Sequence, residues 1–510
     1  MSQRVRDHAA TAPHATAPRA TTPHATTPHA TGSQPDLVSD GVPELERRAL
    51  RAAEQALARA RRESRSQWIA LSAPAVAGRD VLAVFDRADD PDRFYWECPA
   101  EGLAFVGLGS AAGFEAEGAD RFARASAWVR SVFDRLTRTT EGDGPWAVGG
   151  FAFEDRPAPS ETWQGFPAAR WVLPERMLIV REGRATRLEC ARVDPGDDAA
   201  CLARALVARL QARLAGSDGR PPGAAGPAPT EFRTAAEQSH EHYRARVLEA
   251  LDRIAAGDLE KVVLARSVRI DHPQAPSPAR LLDALRLAHP ACVSFAVTRG
   301  DATFLGATPE RLVGFDGVSG VVRTGAVAGS APRGRSPEED ARLARALRES
   351  KKEQAEHAAV VRAVRDALRP RCGELAGPEA PRRLALEGIQ HLETPLEGRV
   401  EPHDRHATGV IDLAGDLHPT PAVGGAPVEA ARRFIRECEG LERGWYAAPL
   451  GFVDHRGGGE LRVALRSGLL RGRSARLYAG AGIVAGSEPE RELYETRLKL
   501  RALLAPLLEV

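Results

Sequence analysis

Four glutamates and a lysine set the chemistry that this sequence can do. Glu353 and Glu356 stand three apart in RESKKEQAEHAAVV, and Glu492 and Glu495 stand three apart near the end of the chain, with Lys499 four further on. Spacings of three and four place side chains on one face of a helix, so each acidic pair is expected to share a face. Charged helices also carry such pairs on their solvent side. The second pair, however, follows YAGAGIVAGSEPE, whose small residues let a ligand come close to the backbone. If the two faces meet, four carboxylates converge in a cleft, and they cannot all ionise there without a cation. Magnesium suits such a set, because it takes hard oxygen ligands, keeps waters and completes its shell with an anionic group of a substrate. The residues therefore predict a magnesium site in an acidic pocket that admits a carboxylate.

The elements that must position these residues follow from periodicity. A long helix is expected over about 337–368 and a closing helix over 490–507, each with apolar residues at helical spacing. Further helices are expected over 41–67, 122–137, 199–214, 240–256 and 278–288. Between them lie strand-like runs: WIALSAP, VLAVFDR, LAFVGLG, AVGGFAFED, ARWVLPERMLIVRE and TRLECARV in the first half, and KVVLARSVRI, VSFAVTR, ATFLGAT, RLVGFDG, VVRTGAV, GELRVALRSGLL and RLYAGAGIVA in the second. Strands and helices interleave irregularly, which predicts an α+β fold and not a regular doubly wound sheet. Residues 1–40 repeat Thr, Pro, His and Ala and are expected to be disordered, with no metal role for His14, His24 or His29. The Gly/Pro/Ala stretch 217–230 reads as a linker or surface loop, dividing the ordered chain into a part over 41–216 and a part over 231–510.

Composition narrows the function classes. The 510 residues are 43% hydrophobic, enough for a sizeable core, and 70 Lys and Arg nearly cancel 69 Asp and Glu. No global field draws the molecule to nucleic acid or an anionic membrane. The six cysteines lack C-x-x-C spacing, which fits free thiols in a reducing, cytoplasmic setting. No run has the length of a spanning helix, and neither a phosphate-binding loop nor a G-x-G-x-x-G turn offers a seat for nucleotide chemistry.

A larger set of motifs then stands out. KVVLAR at 261–266, FLGATPERL at 304–312, AVAGS at 326–330, the Glu356–His357 pair, QHL at 390–392, LHPTPAVGG at 417–425 and GAGIVAGSEPERELYET at 480–496 together resemble the chorismate-utilising enzymes, in that family's order, over roughly 235–505. The first half is similar only through GGFAF at 149–153 and WVLP at 171–174. The resemblance implies two packed antiparallel β-sheets flanked by helices, with chorismate and magnesium in a deep cleft. It implies that Glu356 and Glu495 hold the metal directly and that Glu353 and Glu492 hold its waters. Tyr446 and Arg466 would bind the enolpyruvyl carboxylate with help from the backbone at Gly480 and Gly482. Gly329 and Ser330 would line the ring, His391 would stand near the reacting face, and Lys499 closes the last motif.

The family divides by nucleophile. A lysine at 261, alanine at 328 and the absence of a glutaminase domain imply water in place of ammonia, and Ala422 favours the branch that stops at isochorismate over the branch that goes on to salicylate. Water attack at ring carbon 2 with loss of the carbon 4 hydroxyl needs a base and an acid. Lys261 is the expected base, neutral when it acts, and Glu310 the expected acid, kept protonated by burial; the alternative for Glu310 is a surface salt bridge with Arg311. A monomer without a glutaminase partner is expected, its product serving menaquinone, siderophore or salicylate synthesis. A chorismate-binding subunit without catalysis is the reading from a different class.

Overall fold

The computed structural model describes residues 41–509 apart from 77, 79, 140–142, 159, 213–231, 387 and 406, so the Thr/Pro/His/Ala tail and the 217–230 stretch lie outside the described residues. Among those described, the strands gather into one sheet of thirteen and one of nine. The larger begins at Arg233–Ala236 and runs through Lys261–Asp271, with the short Gly425–Ala426 paired to it off the path, then Ser474–Val484, Ser467–Arg471, Ala302–Thr308 and Val293–Arg299. It then passes into the first half of the chain with Asp92–Cys98, Leu103–Leu108, Arg176–Arg181, Arg184–Val193, Gln67–Ala75 and Leu136–Arg138. The smaller runs from Arg382–Ala385 through Ile389–Arg399, Val321–Pro332, Arg311–Phe315, Gly459–Val463 and Pro449–Val453 to Ala147–Phe151, Ala169–Leu173 and Ala112–Ala116. Neighbours are antiparallel throughout these two paths except for Gln67–Ala75, which runs parallel to Leu136–Arg138.

Both sheets are therefore shared between the two halves of the sequence. In the larger, Ser294 to Arg299 pair with Glu97 to Asp92; in the smaller, Leu450 to Val453 pair with Gly150 to Ala147. Aromatic side chains fill the space between the sheets. Phe452 from the smaller sheet meets Trp96 and Phe105 of the larger edge-on, with ring centroids 5.7 and 5.3 Å apart, an arrangement favoured by the ring quadrupoles.

Strand Asp92–Cys98 shows why such a core is hard to read. Phe94 and Trp96 point into the layer between the sheets, while Tyr95 joins a second buried cluster with Leu82, Phe85, Leu281, Leu285, Leu500 and Leu503. A strand covered on both faces has no polar alternation, and the run DRFYWEC carries none. That outer cluster is covered by helices Val81–Arg87, Pro278–Ala288 and Pro489–Glu509. The first of these corrects the strand expected at VLAVFDR: the Asp80 side chain accepts from the Leu82 amide as an N-cap, and five consecutive apolar residues are buried in a helix. A short apolar run does not distinguish the two states.

A second correction concerns the long acidic helix. It is two helices, Pro337–Glu349 and Lys351–Cys372, joined at Ser350 in extended backbone (φ −66°, ψ 112°). The Ser350 hydroxyl accepts from the Glu353 amide, so the serine ends one helix and caps the next. The second helix packs on strand Val321–Pro332 and is held there by His357, whose ring nitrogens lie 2.7 Å from Thr394 Oγ1 and 3.3 Å from the Ala328 carbonyl.

Candidate active site

Lys261 opens its strand beside Ser474–Val484, in a register that sets Val263 across from Gly482 and Ala265 across from Gly480. Over this pair of strands lies a cleft. Any side chain at 482 would displace the two groups that meet here. A Cβ there would stand 2.8 Å from Glu356 Oε1 and 3.0 Å from Lys261 Cε. In the space thus left, Lys261 Nζ and Glu356 Oε1 form a buried ion pair at 2.8 Å. On the closing helix, Lys499 Nζ reaches Glu495 Oε1 at 2.7 Å, one turn away, and donates to the Gly480 carbonyl at 2.8 Å.

The two acidic faces converge. Glu356 and Glu495 line the cleft; Glu353 and Glu492 do not. Glu353 Oε2 accepts from the Ser330 amide at 3.0 Å, while Lys352 Nζ lies 3.4 Å from Glu492 Oε1 and 4.0 Å from Glu353 Oε1, tying one helix to the other. Burial, with the Glu356 carboxylate beside it, pushes Glu353 up to about 7, and burial with Glu495 raises Glu492. Burial also acts to raise Glu356, but Lys261, Lys499 and Lys352 outweigh it and hold that carboxyl below its ordinary value. Among the described residues no group of three His, Cys, Asp or Glu side chains is assembled to hold a metal. Each acid is occupied otherwise, three by lysines and Glu353 by an amide. The donor set, all carboxylate oxygen and mutually repelling, still fits a hard divalent cation.

Glu310 sits in the turn between Ala302–Thr308 and Arg311–Phe315, its amide donating to Thr308 Oγ1 at 3.2 Å and its carbonyl accepting from the Val463 amide at 3.1 Å. It is buried in the cleft wall, and burial pushes its carboxyl up to about 7 against the opposing pull of Lys261 and Lys499. The salt-bridge alternative does not hold. Arg311 pairs with Glu101 at 2.6 Å and Glu460 at 3.0 Å.

Arg466 occupies the left-handed region at φ +46°, a strained conformation for a long side chain. Its Nη1 is buried in the cleft without a hydrogen-bond partner, and its Nη2 approaches His391 Nε2 at 3.5 Å. A guanidinium N–H left unpartnered in a cleft wall can donate to a carboxylate. His391 Nδ1 lies 3.0 Å from Ser330 Oγ, and burial, with Arg466 and Lys499 nearby, keeps the imidazole well below its ordinary value. Tyr446, stacked on Tyr478 with centroids 5.2 Å apart, Ala422 and Gly329 complete the wall.

Comparison with known proteins bears on the whole of this arrangement. The model of the chorismate binding enzyme family matches residues 54–508. The chain belongs to that family. The salicylate biosynthesis isochorismate synthase of Pseudomonas aeruginosa is 40% identical over 83% of this chain and 87% of its own. The isochorismate synthase MenF of Bacillus subtilis is 33% identical over 82% and 88%. Among solved structures, MenF of Escherichia coli, the menaquinone-specific isochorismate synthase, superposes with a TM-score of 0.72 at 25% identity, covering 89% of this chain and 100% of that one.

This chorismate-binding enzyme also uses residues that the sequence reading passed over. Arg443 is the clearest: it donates to the Val423 and Val263 carbonyls at 2.8 Å each and forms a buried ion pair with Glu439, which in turn accepts from the Ala265 amide at 2.8 Å. It clamps three segments of the cleft wall, of which it is itself part. Its one local signal is the four-residue spacing from Glu439, which solvent-facing helix pairs share; its other partners are backbone groups brought together by the fold. Lys352 was likewise missed, lying within the motif that supplies Glu353 and Glu356.

Proposed function

We propose that the chain is an isochorismate synthase, converting chorismate reversibly into isochorismate with the aid of magnesium. The observation that carries this reading is a lysine and a buried carboxyl that keeps its proton to about 7, in one cleft with an unpaired guanidinium. The relatives named above, matched along most of their length, support the same reaction.

Arg466 binds the enolpyruvyl carboxylate through its free edge, and Tyr446 packs beside it. Lys261 takes a proton from water as the water oxygen bonds to ring carbon 2. The electrons of the two ring double bonds each move over by one bond, and the hydroxyl on carbon 4 leaves with the proton of Glu310, as water. Solvent then returns the proton from Lys261 to Glu310. Lys261 must be neutral to act, and its ion pair with Glu356 opposes this. Magnesium held by Glu356 and Glu495, with Glu353 and Glu492 behind them, would neutralise these carboxylates, orient the ring carboxylate of the substrate and release the amine from its partner.

With water as nucleophile no glutaminase subunit is required, and we take the enzyme to act as a monomer. Free cysteines, as all six are, suit the cytoplasm; among the described residues no helix is long and apolar enough to cross a membrane. The test is product analysis with the purified chain. Chorismate and magnesium should give an equilibrium mixture with isochorismate and little pyruvate, and chelation should stop the reaction until magnesium is restored. Pyruvate released as fast as chorismate disappears would make it a salicylate synthase, and binding without turnover a non-catalytic subunit.

A further inference from the structure

Strand Val321–Pro332 does not pair evenly with Ile389–Arg399. Ala328 stands across from Leu392 and Ser330 across from His391, leaving Gly329 as an extra residue at φ +76°. Such a bulge re-aims the side chain that follows it. Here it brings Ser330 onto the same face as His391, and the Glu353 carboxylate fixes the Ser330 amide in place.

The direction of the hydrogen bonds in this group can be deduced. A guanidinium carries only donors. Arg466 Nη2 faces His391 Nε2, so Nε2 must accept. A neutral imidazole that accepts at Nε2 bears its proton on Nδ1, which faces Ser330 Oγ at 3.0 Å, with the Gly329 backbone as a second acceptor for the ring. The opposite tautomer would set N–H against N–H. The imidazolium would put a third cation beside Arg466 and Lys499 in a buried site. Ser330 therefore cannot give its own hydrogen to His391, and it lines the cleft.

We propose that Arg466, His391 and Ser330 form a one-way hydrogen-bond relay that fixes His391 as its Nδ1–H tautomer and turns the Ser330 hydroxyl into a donor aimed at an acceptor oxygen of the bound substrate. His391 is a positioning residue in this scheme and Ser330 a binding one. The relay also couples two subsites: an anion docked on Arg466 polarises the chain of donors that ends at Ser330. Only the identity of the substrate rests on the isochorismate synthase reading.

The decisive measurement is the tautomer. In protein labelled with ¹⁵N-histidine, long-range proton–nitrogen correlation should show one ring with a protonated Nδ1 and an unprotonated Nε2, and that signal should vanish in His391→Asn. Should that variant not fold, the ring whose signals move in Ser330→Ala serves for the assignment. A proton on Nε2, or on both nitrogens, overturns the relay.

Kinetics test its far end. Ser330→Ala should lower kcat/KM about tenfold, the loss of one hydrogen bond to substrate, and Ser330→Thr should restore most of it. His391→Asn, whose amide nitrogen falls near the place of Nδ1, should retain more activity than His391→Gln, whose amide falls near Nε2. Ser330→Ala equal to the unaltered enzyme would refute the donor role. If chorismate is not turned over at all, the function reading falls, while the tautomer and the effect of Ser330→Ala on chorismate affinity by calorimetry still decide the relay.

Discussion

Glu310 is where burial alone decides chemistry. Its carboxyl keeps a proton up to about 7 because the cleft wall penalises the charge more than Lys261 and Lys499 favour it. The acid form is thus present at low pH and lost as pH rises through about 7, so kcat/KM should fall along that alkaline limb. Glu310→Gln should lower kcat by about 10² to 10⁴ and flatten the limb, as a steady-state pH profile would show. Stability gives a second reading. A carboxyl whose value is raised on folding adds stability that is complete below its ordinary value of 4.5 and disappears as pH climbs through about 7. The melting temperature of Glu310→Gln should therefore gain on that of the parent as pH rises from 4.5 to about 7 and run parallel to it above, and curves parallel across that window would mean that Glu310 is not held protonated. Arg466→Ala belongs to the other kind of residue. It should raise KM strongly, since a substrate carboxylate loses its partner, with a smaller fall in kcat from misorientation.

At the scale of elements, Ser350 is the joint on which the acidic site turns. Removing its cap by Ser350→Ala should cost about 1 kcal/mol and loosen the first turn that carries Glu353. Both the melting temperature and the magnesium affinity, read by calorimetry, should fall, with Ser350→Asp preserving both. An unchanged affinity would separate the cap from the site. The joint also shows where sequence stops informing. Apolar residues at helical spacing run straight through 337–368, and a single serine is no breaker; both helices pack on Val321–Pro332, with the serine capping the second. The residues of the cleft were legible because their spacings are local and their motifs keep order. Arg443 was not, since its partners come from three segments. Nor was DRFYWEC as a central strand, because a strand buried on both faces loses the alternation that would betray it. VLAVFDR failed for the converse reason, an apolar run too short for its period to be told.

At the scale of the molecule, the two halves of the sequence are not two bodies. Val293–Arg299 zips along Asp92–Cys98 in one sheet and Pro449–Val453 along Ala147–Phe151 in the other, with Trp96, Phe105 and Phe452 closing the space between. The residues of the cleft come wholly from the second half, yet Ala302–Thr308, which leads into Glu310, and Gly459–Val463, which leads towards Arg466, each lie one strand away from a seam with the first, beside Val293–Arg299 and Pro449–Val453. A fragment from 233 onward should accordingly fail to bind chorismate on its own. Co-expressed with a fragment ending at 211, it should reassemble through both seams, co-purify and recover turnover; a second half active alone would contradict the shared-sheet account. The seams thus make this chain divisible without being separable: a gene split between those points would encode a two-subunit enzyme whose heterodimer interface is already built.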